Sequence, residues 1–124
     1  MEEKTLGFGK DNKPAPTIGD REIITSEDYR RGDFITYYEP VVKAAVLVNV
    51  QDWYWYVNPK TKKKAKRYVY YKAFNVENKH LYYDGSRLVI DFDDYKPIGV
   101  GHRLALPNEI KDYLDALKKE NLTL

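Results

Sequence analysis

Aromatic and basic side chains alternate more densely between Trp53 and Phe74 than a small hydrophobic core requires. Two aromatic runs, residues 53–57 and residues 68–74, flank a turn in which residues 60–67 contain six lysines and arginines. Flat rings offer faces on which unpaired bases stack, and lysines attract the phosphates that join those bases. This combination indicates a protein that binds single-stranded nucleic acid.

The candidate interface combines the rings of both runs with the cations of the turn. It consists of Trp53, Tyr54, Trp55, Tyr56, Lys60, Lys62, Lys63, Lys64, Lys66, Arg67, Tyr68, Tyr70 and Lys72. Stacking contributes roughly 1–3 kcal/mol per base, so three or four rings would bind DNA or RNA without reading its sequence. We therefore predict sequence-tolerant binding of single-stranded DNA or RNA.

Strand alternation predicts which of these rings face a ligand. Side chains in a strand point alternately to opposite faces, so Trp53, Trp55 and Val57 would lie on an inner face. The outer face would then carry four tyrosines, namely Tyr54, Tyr56, Tyr68 and Tyr70. A shift of one residue in the pairing register would exchange the two faces of the hairpin.

The charge of the chain is strongly segregated, although its net value is only +2. Residues 41–82 carry nine Lys/Arg against two Asp/Glu, whereas residues 1–40 and 83–124 are both net acidic. A surface that only needs to be soluble mixes both signs of charge, so a basic middle segment indicates an acidic partner.

Composition excludes several classes of protein. The chain has no cysteine, which excludes disulfides and cysteine-based zinc sites and fits a reducing compartment. The longest apolar stretch, residues 44–48, is too short to span a bilayer, and the N-terminus lacks the apolar core of a signal peptide. We therefore expect a cytoplasmic protein without a membrane partner.

The pattern along the chain predicts an α+β domain. Residues 1–20 contain five glycines and prolines and few apolar side chains, which indicates a flexible N-terminal arm before a single domain over 21–124. Residues 22–25, 34–38 and 41–57 have strand-like composition, and 41–50 is typical of a buried central strand. We expect a twisted antiparallel sheet of five or more strands; the alternative is an OB-like barrel, whose long bent first strand would suit 41–57.

Two signals organise the C-terminal half. The pair Asp84-Gly85 lies between strand-like residues 80–83 and 87–92, which predicts a hairpin. Ile110, Tyr113, Leu114 and Leu117 are spaced as the apolar stripe of an amphipathic helix over 108–119 that closes one face of the sheet.

An acidic cluster raises a second kind of chemistry. It consists of Asp91, Asp93, Asp94 and Lys96. With Asp84 upstream, Asp94-Tyr95-Lys96 matches half of a metal-dependent nuclease pattern, in which carboxylates hold Mg²⁺ and lysine stabilises the attacking group. Any strand that ends in acidic residues before a lysine supplies this match, so solvated edge charges are the preferred interpretation. His80 and His102 have no partner at ligand spacing. We predict a non-enzyme with no catalytic residue, metal site or cofactor.

The C-terminal half resembles the positive cofactor four family of transcriptional coactivators. The resemblance is carried by residues 66–69, by 88–97, by 101–106 and by the helix that follows, and it covers about residues 66–119. Members have four antiparallel strands followed by a helix, form dimers and bind single-stranded DNA. The resemblance therefore implies a homodimer and the same class of ligand.

A protein-interaction module is the alternative from another class. A small viral or regulatory protein could occupy the nucleic-acid site of a partner, with the acidic arm mimicking a phosphate backbone and the Tyr-rich face packing on protein. Reversing the charge of Lys62, Lys63 and Lys64 would abolish nucleic-acid binding but leave a complex driven by tyrosines largely intact.

Overall fold

The structure, a computed structural model, describes residues 29–92 and 101–124. The predicted arm, residues 1–20, and the predicted strand over 22–25 lie outside the described residues. The described residues form eight strands and one helix. The elements are β1 Phe34–Glu39, β2 Ala44–Asn49, β3 Asp52–Val57, β4 Lys64–Tyr70, β5 Ala73–Asn75, β6 His80–Tyr82, β7 Leu88–Ile90, β8 His102–Leu104 and α1 Pro107–Lys119.

The strands form two antiparallel sheets. One has five strands in the order β6-β5-β2-β1-β8, and the other has three in the order β3-β4-β7. The predicted α+β class, with an antiparallel sheet of at least five strands and a C-terminal helix, is confirmed. The sheets formed by the described residues are not closed into a barrel, so the OB-like alternative is wrong.

One long two-stranded ribbon links the sheets. Val48 pairs with Ala73 in the five-stranded sheet, and Asp52 pairs with Val69 in the three-stranded sheet. Moving four residues along each strand leads from the first pair to the second, so β2–β3 and β4–β5 keep one register through both sheets. The predicted central strand is confirmed as β2, which lies third of five in its sheet.

A layered core follows from strand alternation in β1 and β2. Ile35 and Val48 are buried with Tyr68 and Ile90 in a cluster between the two sheets. Phe34 and Leu47, on the opposite face of the five-stranded sheet, pack in a second cluster against the helix. The order of layers is therefore helix, five-stranded sheet and three-stranded sheet.

The helix begins one residue earlier than predicted, with Pro107 in its first turn, and ends at Lys119 as predicted. Tyr113 and Leu117 are buried against the sheet as expected, but Leu114 is 42% exposed. The helix is rotated so that Glu109, rather than Leu114, lies on its buried side.

Glu109 is buried because four donors satisfy its carboxylate. Arg103 makes two hydrogen bonds of 2.9 Å with it, and the Thr36 hydroxyl and the Leu106 backbone N–H each donate to it at 2.9 Å. Burial acts to raise the pKa of Glu109, but the hydrogen bonds from Arg103, Leu106 and Thr36 outweigh it and hold the pKa below its ordinary value.

The predicted hairpin around Asp84-Gly85 is wrong. The chain does turn there, with Gly85 at φ +85°, which favours glycine. However, β6 pairs with β5, and β7 pairs with β4. β6 and β7 therefore pair with opposite ends of β4–β5, one in each sheet, and the turn carries the chain from the five-stranded sheet to the three-stranded sheet.

The Glu109 network leads to a pH prediction. Because the fold lowers the pKa of Glu109, its contribution to stability is complete above pH 4.5, the ordinary pKa of a glutamate, and is lost as the pH falls through the lowered value. Glu109→Gln should lower the free energy of unfolding at pH 7 by about 1–2 kcal/mol, since Arg103 loses its charged partner. The free energy of unfolding of this variant should also fall less than that of the wild type as the pH is lowered.

Urea unfolding of both proteins between pH 3 and pH 7 measures these effects. Glu77→Gln, which changes an exposed glutamate in the turn after β5, is the control and should leave the wild-type pH profile intact. A Glu109→Gln protein with the stability and pH profile of the control would contradict the role given to this carboxylate.

Candidate nucleic-acid interface

The pairing of β3 with β4 sorts the candidate residues onto two faces. Residues directly opposite in an antiparallel pair share a face. The pairs Trp53–Tyr68, Trp55–Lys66 and Val57–Lys64 form one face, here called the Trp face. The pairs Tyr54–Arg67 and Tyr56–Ala65 belong to the other face, here called the Tyr face.

This sorting corrects the predicted outer face of four tyrosines. Tyr68 and Tyr70 are only 1% and 9% exposed, and both belong to the core between the sheets. Tyr54, which is 37% exposed, lies opposite Arg67 rather than opposite a tyrosine. Alternation within each strand was predicted correctly, but the length of the turn sets how the faces of two strands match. Tyr68 and Tyr70 are therefore not available to a ligand in this structure.

The turn between the strands holds its lysines outward. The Asn58 backbone N–H donates to the Lys63 carbonyl at 2.9 Å, and Asn58 Oδ1 accepts hydrogen bonds from the N–H groups of Lys60 and Thr61. Lys62 has φ +63°, in the left-handed region. The predicted turn is present, and the four exposed lysines at and beside it are Lys60, Lys62, Lys63 and Lys64.

Lysines and tryptophans interleave along the Trp face. Lys66 Nζ lies 3.9 Å from the centre of the Trp53 ring and 5.8 Å from that of Trp55, and Lys64 Nζ lies 4.6 Å from the centre of the Trp55 ring. The two indoles meet edge to face with their centres 5.7 Å apart. Cation–π attraction and ring packing thus order this face before any ligand binds.

The cations differ in how far they are engaged within the chain. Lys66 Nζ donates to the Tyr29 carbonyl at 3.2 Å, and Lys72 Nζ lies 3.4 Å from the Leu124 carbonyl oxygen. The ammonium groups of the four lysines at and beside the turn make no hydrogen bond or ion pair with any described residue, although that of Lys64 lies over the Trp55 ring. These four, rather than Lys66 and Lys72, are the cations most open to phosphate.

The Tyr face is held together by arginines. The Arg67 guanidinium carbon lies 3.4 Å from the centre of the Tyr56 ring, and Arg67 Nε lies 3.8 Å from an Asp91 carboxylate oxygen. Arg87 lies 5.7 Å from the Tyr54 ring centre. Arg87 was missed by sequence reasoning because only the pairing of β7 with β4 brings it to Tyr54, and no local pattern encodes that pairing.

The acidic cluster does not assemble within the described residues. Asp94 and Lys96 lie outside them, as does Asp93 between the strand and Asp94. Asp91 faces Arg67, and Asp84 Oδ1 accepts a hydrogen bond from the Ser86 N–H in the turn. Among residues 29–92 and 101–124 no three His, Asp or Glu side chains are grouped to hold a metal ion.

The two histidines have different surroundings. His102 Nδ1 is 2.7 Å from the Tyr29 hydroxyl, and its ring stacks on Phe92 with the ring centres 4.6 Å apart. His80 is exposed, and its ring meets the edge of Tyr82. His102 therefore packs at the core, beside the Tyr29 ring.

The two faces lead to a prediction that separates a core tyrosine from a surface tyrosine. Tyr68→Ala should lower the free energy of unfolding by about 3–5 kcal/mol, because it removes a ring from the core between the sheets. Tyr54→Ala should change it by about 0.5 kcal/mol or less, since that ring lies at the surface. Urea denaturation measures both values. Equal losses for the two variants would contradict the register that places them on different faces.

Comparison with family models, curated proteins and solved structures finds no match to this chain. The described residues include no helix long and apolar enough to cross a membrane. The segments that resemble the positive cofactor four family lie in both sheets: residues 66–69 and 88–90 in the three-stranded sheet, and 102–104 in the five-stranded sheet. The family relationship stays a prediction.

Proposed function

We propose that this protein binds single-stranded DNA or RNA, tolerantly of sequence and without catalysis, through the β3–β4 hairpin. The observation that carries the proposal is the Trp face, where Trp53 and Trp55 alternate with Lys66 and Lys64 and lead directly to the lysines of the turn. Rings and cations thus occur together on one surface rather than on opposite sides of the hairpin.

The spacing of the Trp face suits a polymer with a repeating base and phosphate. Residues two apart in a strand lie about 6.7 Å apart along it, so successive rings and successive cations recur at that interval. Trp55 is 43% exposed and offers the more accessible ring. A base stacking on Trp55 would displace Lys64 from the ring and free its ammonium group for the adjoining phosphate.

The preference for nucleic acid over a protein partner rests on the charge of the hairpin and on the burial of two of its tyrosines. The turn and its flanks place four exposed lysines at the end of the hairpin. With Tyr68 and Tyr70 in the core, the Tyr-rich face proposed for protein contact retains only Tyr54 and Tyr56. A phosphate backbone matches the remaining surface better than an apolar protein patch does.

The lysines lead to a prediction about salt. If all four contact phosphate, log affinity against log salt should have a slope of about −3, at roughly −0.7 per contact on a single strand. Replacing Lys62, Lys63 and Lys64 by glutamine should weaken binding at low salt and reduce the slope to about −1. Fluorescence anisotropy of a labelled oligonucleotide, titrated at several salt concentrations, measures both quantities.

The matched control replaces three exposed lysines of the helix, Lys111, Lys118 and Lys119, by glutamine. It changes the net charge by the same amount on the opposite side of the five-stranded sheet, so its slope should stay at about −3. Absence of binding at low salt, or the same loss in both variants, would contradict the proposal. The oligonucleotide should remain intact throughout, with or without Mg²⁺.

The rings lead to a separate prediction about stacking. Trp55→Ala should weaken binding by about 1–3 kcal/mol, the range for loss of one stacked base, while leaving the salt slope unchanged. Tyr71→Ala, at an exposed ring outside the hairpin strands, is the control and should bind as the wild type does. The same anisotropy titration tests both variants. Wild-type affinity in Trp55→Ala would show that the Trp face does not stack bases.

A further inference from the structure

Strand β6 forms an open edge of the five-stranded sheet. Within residues 29–92 and 101–124 it pairs with β5 alone, so no described strand lies on its other side. Backbone N–H and C=O groups on an open edge are available to another extended chain. This edge lies outside the β3–β4 hairpin, in the other sheet.

Leu81 carries the backbone groups that point outward from this edge. Just after β5, the Val76 N–H donates to the Ala45 carbonyl of β2, so the backbone groups of Asn75, the preceding residue, point the other way, to β6. Phe74 points to β2 again, and Leu81 is the residue paired with it. The N–H and C=O of Leu81 are therefore directed away from β5.

The helix is held beside β6 by two side-chain contacts. Lys79 Nζ forms an ion pair of 2.8 Å with Asp112, and the Tyr83 hydroxyl donates to Glu120 at 3.2 Å. The first contact joins the earlier residues of the two elements and the second joins the later ones, so β6 and α1 run in the same direction. From one contact to the other the helix rises about 12 Å, the length of about four residues of extended chain.

A cavity of about 610 Å³ lies between β6 and the helix, and it brings two charged side chains to this edge. Asp115 is nearly level with Leu81, midway between the two contacts, and Lys119 is nearly level with Tyr83; both line the cavity and both are exposed. Asp115 pairs with Lys111 at 2.9 Å, an exposed pair of the kind that contributes little to stability. Lys119 makes no hydrogen bond or ion pair with any described residue.

We propose that this edge binds an extended segment of a partner protein, which adds to the five-stranded sheet as a strand antiparallel to β6. Main-chain hydrogen bonds to an open edge, with side chains selected by the adjoining surface, are a general mode of peptide recognition. The open groups of Leu81 supply the first part, and the charged cavity beside the helix supplies the second. The site stands whether or not the hairpin binds nucleic acid.

The two charges of the cavity define the segment. Leu81 packs against the core cluster under the helix, so the residue opposite it also faces the helix, next to Asp115, and is basic. The next residue on that face is about 6.7 Å away along the strand, which matches the rise of about 6 Å from Asp115 to Lys119. An antiparallel segment runs opposite to α1 and reaches Lys119 first. Its pattern is therefore an acidic residue, any residue, and a basic residue.

Two synthetic peptides of the same composition test this pattern. One is acetyl-Thr-Val-Glu-Val-Lys-Val-Thr-amide, and the other has its glutamate and lysine exchanged. Isothermal titration calorimetry with the full chain should show about tenfold tighter binding of the first, since the exchange turns two attractive charge pairs into repulsive ones. Equal affinity of the two peptides, or binding of neither, would overturn the proposal.

A charge-exchanged protein should reverse this preference. The variant Asp115→Lys with Lys119→Asp keeps the net charge and should bind the exchanged peptide about tenfold more tightly than the original. The matched control exchanges the exposed ion pair of the other sheet, Arg31→Asp with Asp52→Arg, and should keep the wild-type preference. A preference that does not follow the charges at Asp115 and Lys119 would show that the peptide binds elsewhere.

Methylation of the peptide backbone tests strand addition separately from charge. The lysine of the first peptide pairs with Leu81, so its N–H would donate to the Leu81 carbonyl, whereas the N–H of the valine before it would point away from β6. A methyl group on the lysine nitrogen should weaken binding at least about tenfold, and one on that valine nitrogen should change it about twofold or less. Equal effects of the two methyl groups would contradict pairing with β6.

Discussion

The antiparallel pairing of residues 44–57 with residues 64–75 is the constraint on which the rest of the structure depends. Its register is the same in both sheets, but the face of the ribbon that points into the core changes at the breaks between the strands, residues 50–51 and 71–72. Val48 and Tyr68 belong to opposite faces by alternation, yet both lie in the core between the sheets. Trp55 and Lys64 share the face of Tyr68 and lie further along β3 and β4, where they are exposed. Core and candidate interface are therefore two ends of one element.

The candidate interface is ordered by interactions between rings and cations rather than by burial. Lys66 links the Trp face to a residue outside the hairpin, because its ammonium group lies over Trp53 and also donates to the Tyr29 carbonyl. The contact with the carbonyl ties Tyr29 to the hairpin. On the Tyr face, Arg67 stacks on Tyr56 and faces Asp91. Its positive charge is therefore partly balanced by a carboxylate, and its guanidinium group already has partners within the fold. The asymmetry between the faces is the reason for assigning the ligand to the Trp face.

Local patterns predicted much of this architecture. The turn at Asn58-Pro59, the central strand and the helix each follow from neighbouring residues, since proline, alternation and an apolar stripe act over a few positions. The matching of Tyr54 with Arg67 did not follow. Which side chains of two paired strands share a face depends on the number of residues in the turn between them. The separate pairing of β6 and β7 was also beyond local signals, since it depends on which strand edges are open in the folded sheets. Burial of Glu109 required knowledge that Thr36 and Arg103 would meet it.

The central claim is that the Trp face and the lysine turn form the binding surface, and an amide and indole NMR titration with a short single-stranded oligonucleotide tests it most directly. The account predicts that both indole N–H signals, from Trp53 and Trp55, shift together with the amides of residues 60–64, while the amides of the helix stay in place. Shifts centred on the helix and β6, with the two indole signals unmoved at saturation, would contradict it.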